Sequence, residues 1–155
     1  MLFRSDPAAW GSDGPLAAAV AAAEGVVNLT GEPIAEKRWT PAHRALLRAS
    51  RVEVTQHLAA AITAAPVPPQ VLVSGSAVGY YGTSADGCFD EDSPCGDDFL
   101  AGLCRDWEAA AQAVPPTCRV VRLRTGIVLA PEGGALGRML PIFRAGLGGP
   151  VGDGR

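Results

Sequence analysis

Hydrophobic positions along this chain change period several times, and each change marks an element. Residues 16–23 form an alanine-rich run preceded by Pro15, which suits a first helical position, and Gly25 stops it. Val26-Val27-Asn28-Leu29 is a short apolar run of the kind that makes a buried strand, and Thr30-Gly31-Glu32-Pro33 is a turn. Thr40 is a good N-cap with Pro41 behind it. The helix they open runs to about residue 65, with Leu46, Leu47, Val54, Leu58, Ala61 and Ile62 at helical spacing on one buried face. Val71-Leu72-Val73 is a second strand, apolar throughout as central parallel strands are. Residues 74–96, rich in Gly, Ser and Asp, read as a long loop. Asp97 and Asp98 can cap a helix over residues 99–114, where acidic side chains suit the positive end. Arg119-Val120-Val121-Arg122-Leu123 is a third strand, and Ile127-Val128-Leu129 extends its apolar run. A last amphipathic helix spans about residues 134–145, and a glycine-rich loop follows. Residues 1–14 show no period and read as a disordered or non-native leader, which leaves residues 15–155 as the domain.

The order α-β-α-β-α-β-α predicts an α/β fold, a parallel sheet with helices on both faces and right-handed crossovers. In such sheets ligands bind beyond the carboxyl ends of the strands. Those ends are Asn28-Leu29-Thr30-Gly31, Ser74-Gly75-Ser76 and Arg124-Thr125-Gly126, all small or polar, which suits close approach of a ligand to backbone.

Charge and composition narrow the classes. Of 155 residues, 13 are Lys or Arg and 16 Asp or Glu, for a formal net charge of −3, so no basic stripe points to nucleic acid. A hydrophobic fraction of 48% against 19% charged excludes a disordered chain. No segment reaches the ~20 apolar residues of a membrane span, because Glu24 interrupts the best candidate, so no membrane partner is expected. Cys88, Cys95, Cys104 and Cys118 form no C-x-x-C pair and lie far from both histidines, which argues against zinc and predicts no metal site. Without a signal peptide they read as reduced thiols, so the expected location is cytoplasmic. His43 and His57 fall on the long helix, away from the strand ends, as surface or satisfied core residues.

Several chemistries are absent. Neither Ser74 nor Ser76 sits in a G-x-S-x-G elbow. The single lysine, Lys37, lacks the preceding glycines of a phosphate loop, and no G-x-G-x-x-G turn joins a strand to a helix.

Three stretches carry a family likeness: Asn28-Leu29-Thr30-Gly31-Glu32-Pro33-Ile34, then Lys37-Arg38-Trp39-Thr40, then Ser50-Arg51. With Ser74-Gly75-Ser76-Ala77-Val78-Gly79-Tyr80-Tyr81-Gly82 they closely resemble an atypical group of short-chain dehydrogenases/reductases, akin to the NAD-dependent epimerase/dehydratases. Asp97-Asp98-Phe99-Leu100, Cys104-Arg105-Asp106-Trp107-Glu108, Leu123-Arg124-Thr125-Gly126-Ile127-Val128-Leu129, Gly133-Gly134-Ala135-Leu136 and Gly146-Leu147-Gly148-Gly149-Pro150 continue the resemblance. Each motif is weak alone; their order and spacing are specific.

The resemblance implies a partial Rossmann fold without its N-terminal strands. Members of that group are longer and open with a strand, a glycine-rich turn and a helix that bind the cofactor pyrophosphate. The chain is therefore expected to be a fragment that begins just before the fourth strand and ends short of the C-terminal substrate region. In the usual 3-2-1-4-5-6 order the fourth strand pairs with the first. Its absence would leave residues 26–29 as an exposed apolar edge, and the isolated chain would bind a dinucleotide weakly or not at all.

By the same resemblance, NADP or NAD is the cofactor and a sugar-like or other small hydroxyl/carbonyl compound the substrate, with reversible hydride transfer between them. Asn28, Leu29, Thr30, Gly31, Ser74, Gly75, Arg124, Thr125 and Gly126 correspond to the cofactor-lining stretches. Ser76 matches the family serine at the end of the fifth strand, and Tyr80 or Tyr81 can supply a phenol. Lys37, Arg38 and Trp39 can grip a phosphate or carboxylate beside a stacked ring. The Tyr-x-x-x-Lys pair of the superfamily is missing: Ser84 and Ala85 stand four residues after the two tyrosines. On the helix that should carry the pair, Phe99 or Leu100 takes the tyrosine place and Leu103 or Cys104 the lysine place. The alternative is therefore a dinucleotide-binding regulatory or sensor protein without catalysis.

Overall fold

The computed structural model describes residues 14–131 and 134–150. It is a Rossmann-like α/β arrangement: a parallel three-stranded sheet in the order β1-β2-β3, with helices from residues 15–111 packed against it. The elements follow as α1 (Pro15–Ala21), β1 (Gly25–Asn28), α2 (Pro41–Arg48), a π-helical turn (Ala49–Glu53), α3 (Val54–Ala64), β2 (Val71–Ala77), a 3-10 turn (Val78–Tyr81), α4 (Phe99–Ala111), β3 (Arg119–Thr125) and α5 (Gly134–Arg144). The first compact unit ends at Arg124 and the second begins at Thr125.

Local chemistry explains the helix starts. Thr40 accepts a hydrogen bond from His43 N, and Pro41 occupies the first turn of α2. Asp98 caps α4 by accepting from Ala101 N at 2.8 Å. The helix expected to begin after Thr40 is continuous to Ala64, but its middle widens into the π-helical turn. Such turns insert one extra residue and re-aim the side chains around it; here they are Ser50 and Arg51.

One core cluster joins Leu16 and Val20 of α1, Leu58 and Ile62 of α3, Leu72 of β2, Ala111 of α4 and Cys118. The other joins Leu47, Val52, Leu103, Trp107 and Ala110. Burying each such aliphatic side chain contributes about 1.5–3 kcal/mol before entropy is counted.

Three expectations change. Residues 74–77 belong to β2, not to a loop: Asn28 pairs with Ser74 across the β1–β2 ladder, and small side chains let the strand run on beneath α4. β3 likewise continues through Arg124 and Thr125, whereas Ile127, Val128 and Leu129 lie outside it and exposed. His43 is buried, and its Nε2 has no hydrogen-bond partner among the described residues, so it is neither a surface nor a satisfied core histidine. The leader expected over residues 1–14 falls, apart from Gly14, outside the described residues.

The exposed margin expected beside the first strand is present among the described residues. β1 pairs with β2 alone, and Val27 and Leu29 are 65% and 70% exposed.

Candidate functional site

The strand ends are built as two hydrogen-bond systems. The first starts at Asn28, the last residue of β1 and 3% exposed. Its Nδ2 donates to Thr55 Oγ1 at 2.8 Å, and its Oδ1 accepts from Thr30 N and Thr30 Oγ1 at 3.2 and 2.7 Å. Thr55 Oγ1 also accepts from Trp107 Nε1 at 2.9 Å. One hydroxyl on α3 thus ties the end of β1 to α4, and the Asn28 side chain serves the loop that follows rather than opening outward.

That loop is held from the π-helical turn. Ser50 Oγ accepts from Glu32 N at 3.0 Å, and Arg51 Nη2 donates to Glu32 O at 3.0 Å. The Arg51 guanidinium also lies 5.4 Å from the Trp107 ring centroid. Burial pushes its pKa below the usual arginine value, against the opposing charges of Cys104 and Glu32.

The second system lies at the ends of β2 and β3. Ser76, 6% exposed, donates from Oγ to Glu108 Oε1 at 2.6 Å. Glu108 is 4% exposed on the inner face of α4. Arg124 meets it with both arms of its fork, Nε to Oε1 at 2.8 Å and Nη2 to Oε2 at 3.0 Å, and Arg122 Nη1 reaches Oε2 at 3.4 Å. Burial alone would raise the Glu108 pKa, but hydrogen bonds from Arg124 and Ser76 and the charges of both arginines outweigh it and hold the carboxyl below the usual glutamate range. Arg124 is driven the other way, chiefly by the hydrogen bond to Glu108. Its Nη1 donates to Tyr81 Oη at 2.9 Å and to Glu91 O at 3.1 Å. The guanidinium carbon stands 3.7 Å from the Tyr80 ring centroid, and Tyr81 stacks on Phe89 at 5.0 Å. The Cys104 thiol also neighbours Ser76, and burial raises its pKa.

A neck of glycines closes the intervening loop. Gly82 has φ +72°, and Gly96 presses so closely on it that a Cβ at Gly96 would sit 2.7 Å from Gly82 Cα. Gly96 N donates to Tyr80 O at 2.9 Å.

The structure therefore brings Ser76, Tyr80, Tyr81 and Arg124 into one cluster, and Asn28, Thr30 and Gly31 into another. The donors of Arg124 are largely spent on protein partners. Ser74 is buried at the Asn28 register, and Gly75 lies against Trp107. Leu29 is exposed; Thr125 closes β3 and Gly126 follows it in the second unit. Lys37, Arg38 and Trp39 are exposed: Lys37 pairs with Glu32 at 3.0 Å, and Trp39 Nε1 donates to Ile34 O at 2.7 Å. No hydrogen bond joins these three to Ser76 or Tyr81.

Sequence reasoning missed Glu108. A signal was there: on α4, Leu103, Cys104, Trp107 and Ala111 mark one buried face, and Glu108 falls among them. A carboxylate in an apolar stripe demands a cationic partner, and Arg122 and Arg124, two apart on one strand face, supply it. Among the described residues no group of three or more His, Cys, Asp or Glu is arranged to hold a metal ion, all four cysteines are free thiols, and no helix is long and apolar enough to cross a membrane.

A Rossmann-like sheet with polar strand ends defines a class, and comparison with known proteins narrows it. No protein-family model matches the chain. It is 47% identical over 132 residues to the epimerase family protein SDR39U1 homolog, chloroplastic, of Arabidopsis thaliana, covering 84% of this chain and 38% of that protein. It is 47% identical over 134 residues to the human epimerase family protein SDR39U1, covering 84% and 46%. The crystal structure of the human protein (isoform 2) with NADPH superposes with a TM-score of 0.81 at 44% identity, over 89% of this chain and 50% of that one. The chain is thus a homologue of the epimerase family proteins, atypical members of the short-chain dehydrogenases/reductases. It spans less than half the length of these curated relatives.

Proposed function

We propose that the protein, expressed from its complete reading frame, binds NADP(H) or NAD(H) across the carboxyl ends of β1, β2 and β3. There it transfers a hydride reversibly on a sugar-like or other small hydroxyl/carbonyl substrate. The observation that carries this reading is the likeness of this chain, at 44% identity over 89% of its length, to a protein whose structure contains NADPH. Asn28, Leu29, Thr30, Gly31, Ser74, Gly75 and Arg124 line the cofactor, with backbone rather than the Asn28 side chain facing it. Ser76 and Tyr81 face the substrate, and Lys37, Arg38 and Trp39 form an outer grip. The four free thiols support a cytoplasmic protein.

A second reading has its own support. No lysine stands on α4, where Leu103 and Cys104 occupy the expected place, and Lys37 is engaged by Glu32. A Tyr-Lys pair is therefore not formed by these residues, which favours a dinucleotide-binding sensor that does not turn over.

The deciding experiment is NADPH titration followed by a substrate panel. Saturable binding with substrate-dependent loss of absorbance at the reduced nicotinamide band supports the enzyme. Saturable binding without turnover on any substrate supports the sensor, and absence of binding overturns both.

A further inference from the structure

Ser76 is the serine that a hydride-transfer site would turn toward its substrate, yet its only hydrogen is already committed. A serine hydroxyl has one donor and two acceptor lone pairs. In this protein the donor points at Glu108 Oε1, 2.6 Å away, a length typical of a hydroxyl meeting an ionised carboxylate. The carboxylate is kept in place and kept charged by the two-armed contact from Arg124 and the nearby Arg122, one arginine on each side of Leu123 along β3. Its remaining neighbours do not compete for the serine hydrogen: Arg124 donates only, and the Cys104 thiol is a weak acceptor.

We propose that Glu108 is a positioning residue that fixes Ser76 as a hydrogen-bond acceptor, so that the end of β2 takes a ligand group that donates, an alcohol hydroxyl, and disfavours the corresponding carbonyl. This rests on the reading above that Ser76 faces the substrate. A carbonyl oxygen can only accept, and placing it against Ser76 would force the hydroxyl to leave Glu108, stranding a buried charge-assisted partner. An alcohol offers its own hydrogen and leaves the Ser76–Glu108 bond intact. The inference goes beyond a structural role for the ion pair, because a strut would be indifferent to which polar group approached Ser76.

The test uses the protein from its complete reading frame, loaded with NADP+, and two probes of equal heavy-atom count, propan-2-ol and acetone. Dissociation constants are read by NMR from the amides of residues 75–77. In the unmodified protein the alcohol is expected to bind about tenfold more tightly than the ketone, the worth of one well-placed hydrogen bond. Ser76→Ala should bring the ratio close to one. Glu108→Gln should narrow it by strengthening acetone, since an amide can donate to Ser76 Oγ and free its hydrogen; a merely structural Glu108 would weaken both probes alike. Acetone bound as tightly as propan-2-ol, a ratio that survives Ser76→Ala, or no binding of either probe by the NADP+ complex would overturn the inference and leave cofactor binding standing. Failure to bind NADP+ would overturn the underlying reading as well. The unmodified protein and Ser76→Ala decide the matter even where Glu108→Gln fails to fold.

Discussion

The indole of Trp107 lies directly against the backbone of Gly75, so that a Cβ added there would stand 3.0 Å from Trp107 Cη2 and 3.3 Å from Asn28 O. This contact is what lets α4 pack close to the end of β2 and bring Glu108 within reach of Ser76.

Gly75→Ala should therefore lose about 1–3 kcal/mol, the usual cost of overpacking a close contact. Trimming the ring by Trp107→Phe removes the opposing atoms, so the double variant should lose less than the two single costs added together. Urea unfolding of the four proteins measures the coupling. Additive losses would show that α4 shifts freely away from β2.

Thr55→Val keeps the shape of α3 but leaves two buried donors, Asn28 Nδ2 and Trp107 Nε1, without their shared acceptor. A loss of about 2–6 kcal/mol is expected, since each of the two unsatisfied buried donors costs about 1–3 kcal/mol. Thr55→Ser, which retains the oxygen, should lose clearly less. Equal losses in the two variants would show that the hydroxyl contributes no more than the methyl beside it.

Glu108 sets an acid limit on stability. Its carboxyl titrates below the usual glutamate range in the folded protein, so the unfolded chain takes up that proton first as pH falls. The group's stabilising contribution is complete above the ordinary value of about 4.3 and is lost as pH drops through its lower folded value. Unfolding free energy measured between pH 7 and pH 3 should fall at the acid end, and Glu108→Gln should flatten that segment. An unchanged slope in the variant would place the acid sensitivity elsewhere.

Arg124→Lys keeps the charge but cannot make the two-armed contact with Glu108 while also donating to Tyr81 and Glu91 O. Breaking a buried pair by removing one partner costs about 3–5 kcal/mol, and the lysine variant should forfeit part of that. It should also loosen the loop between Gly82 and Gly96, visible as faster amide hydrogen exchange at Gly96. Unaltered exchange at Gly96 would show that the glycine neck alone closes the loop.

The alternation of helices and short apolar runs makes the α/β class readable in the sequence alone, because period and punctuation are local properties. Thr40-Pro41 and Asp98 behaved as helix starts for the same reason. The end of β2 was less legible: Ser74-Gly75-Ser76 has loop composition, and only the packing of Trp107 and the pairing with β1 make it strand. The ion-pair cluster was hidden differently. Ser76, Tyr81 and Arg124 were visible as candidates at strand ends, but what joins them is Glu108, from an element whose facing is set by tertiary packing. The π-helical turn that presents Ser50 and Arg51 left no signal in the spacing of hydrophobic residues.

The central claim is that the carboxyl ends of the strands receive a nicotinamide dinucleotide, and amide chemical-shift mapping during NADPH titration of the protein from its complete reading frame tests it most directly. Saturable shifts are predicted at Leu29, Thr30, Gly31, Gly75 and Ser76, with Gln70 and Arg119 at the opposite ends of β2 and β3 unmoved. Shifts concentrated at Gln70 and Arg119, or no saturable shift at any of these amides, would contradict it.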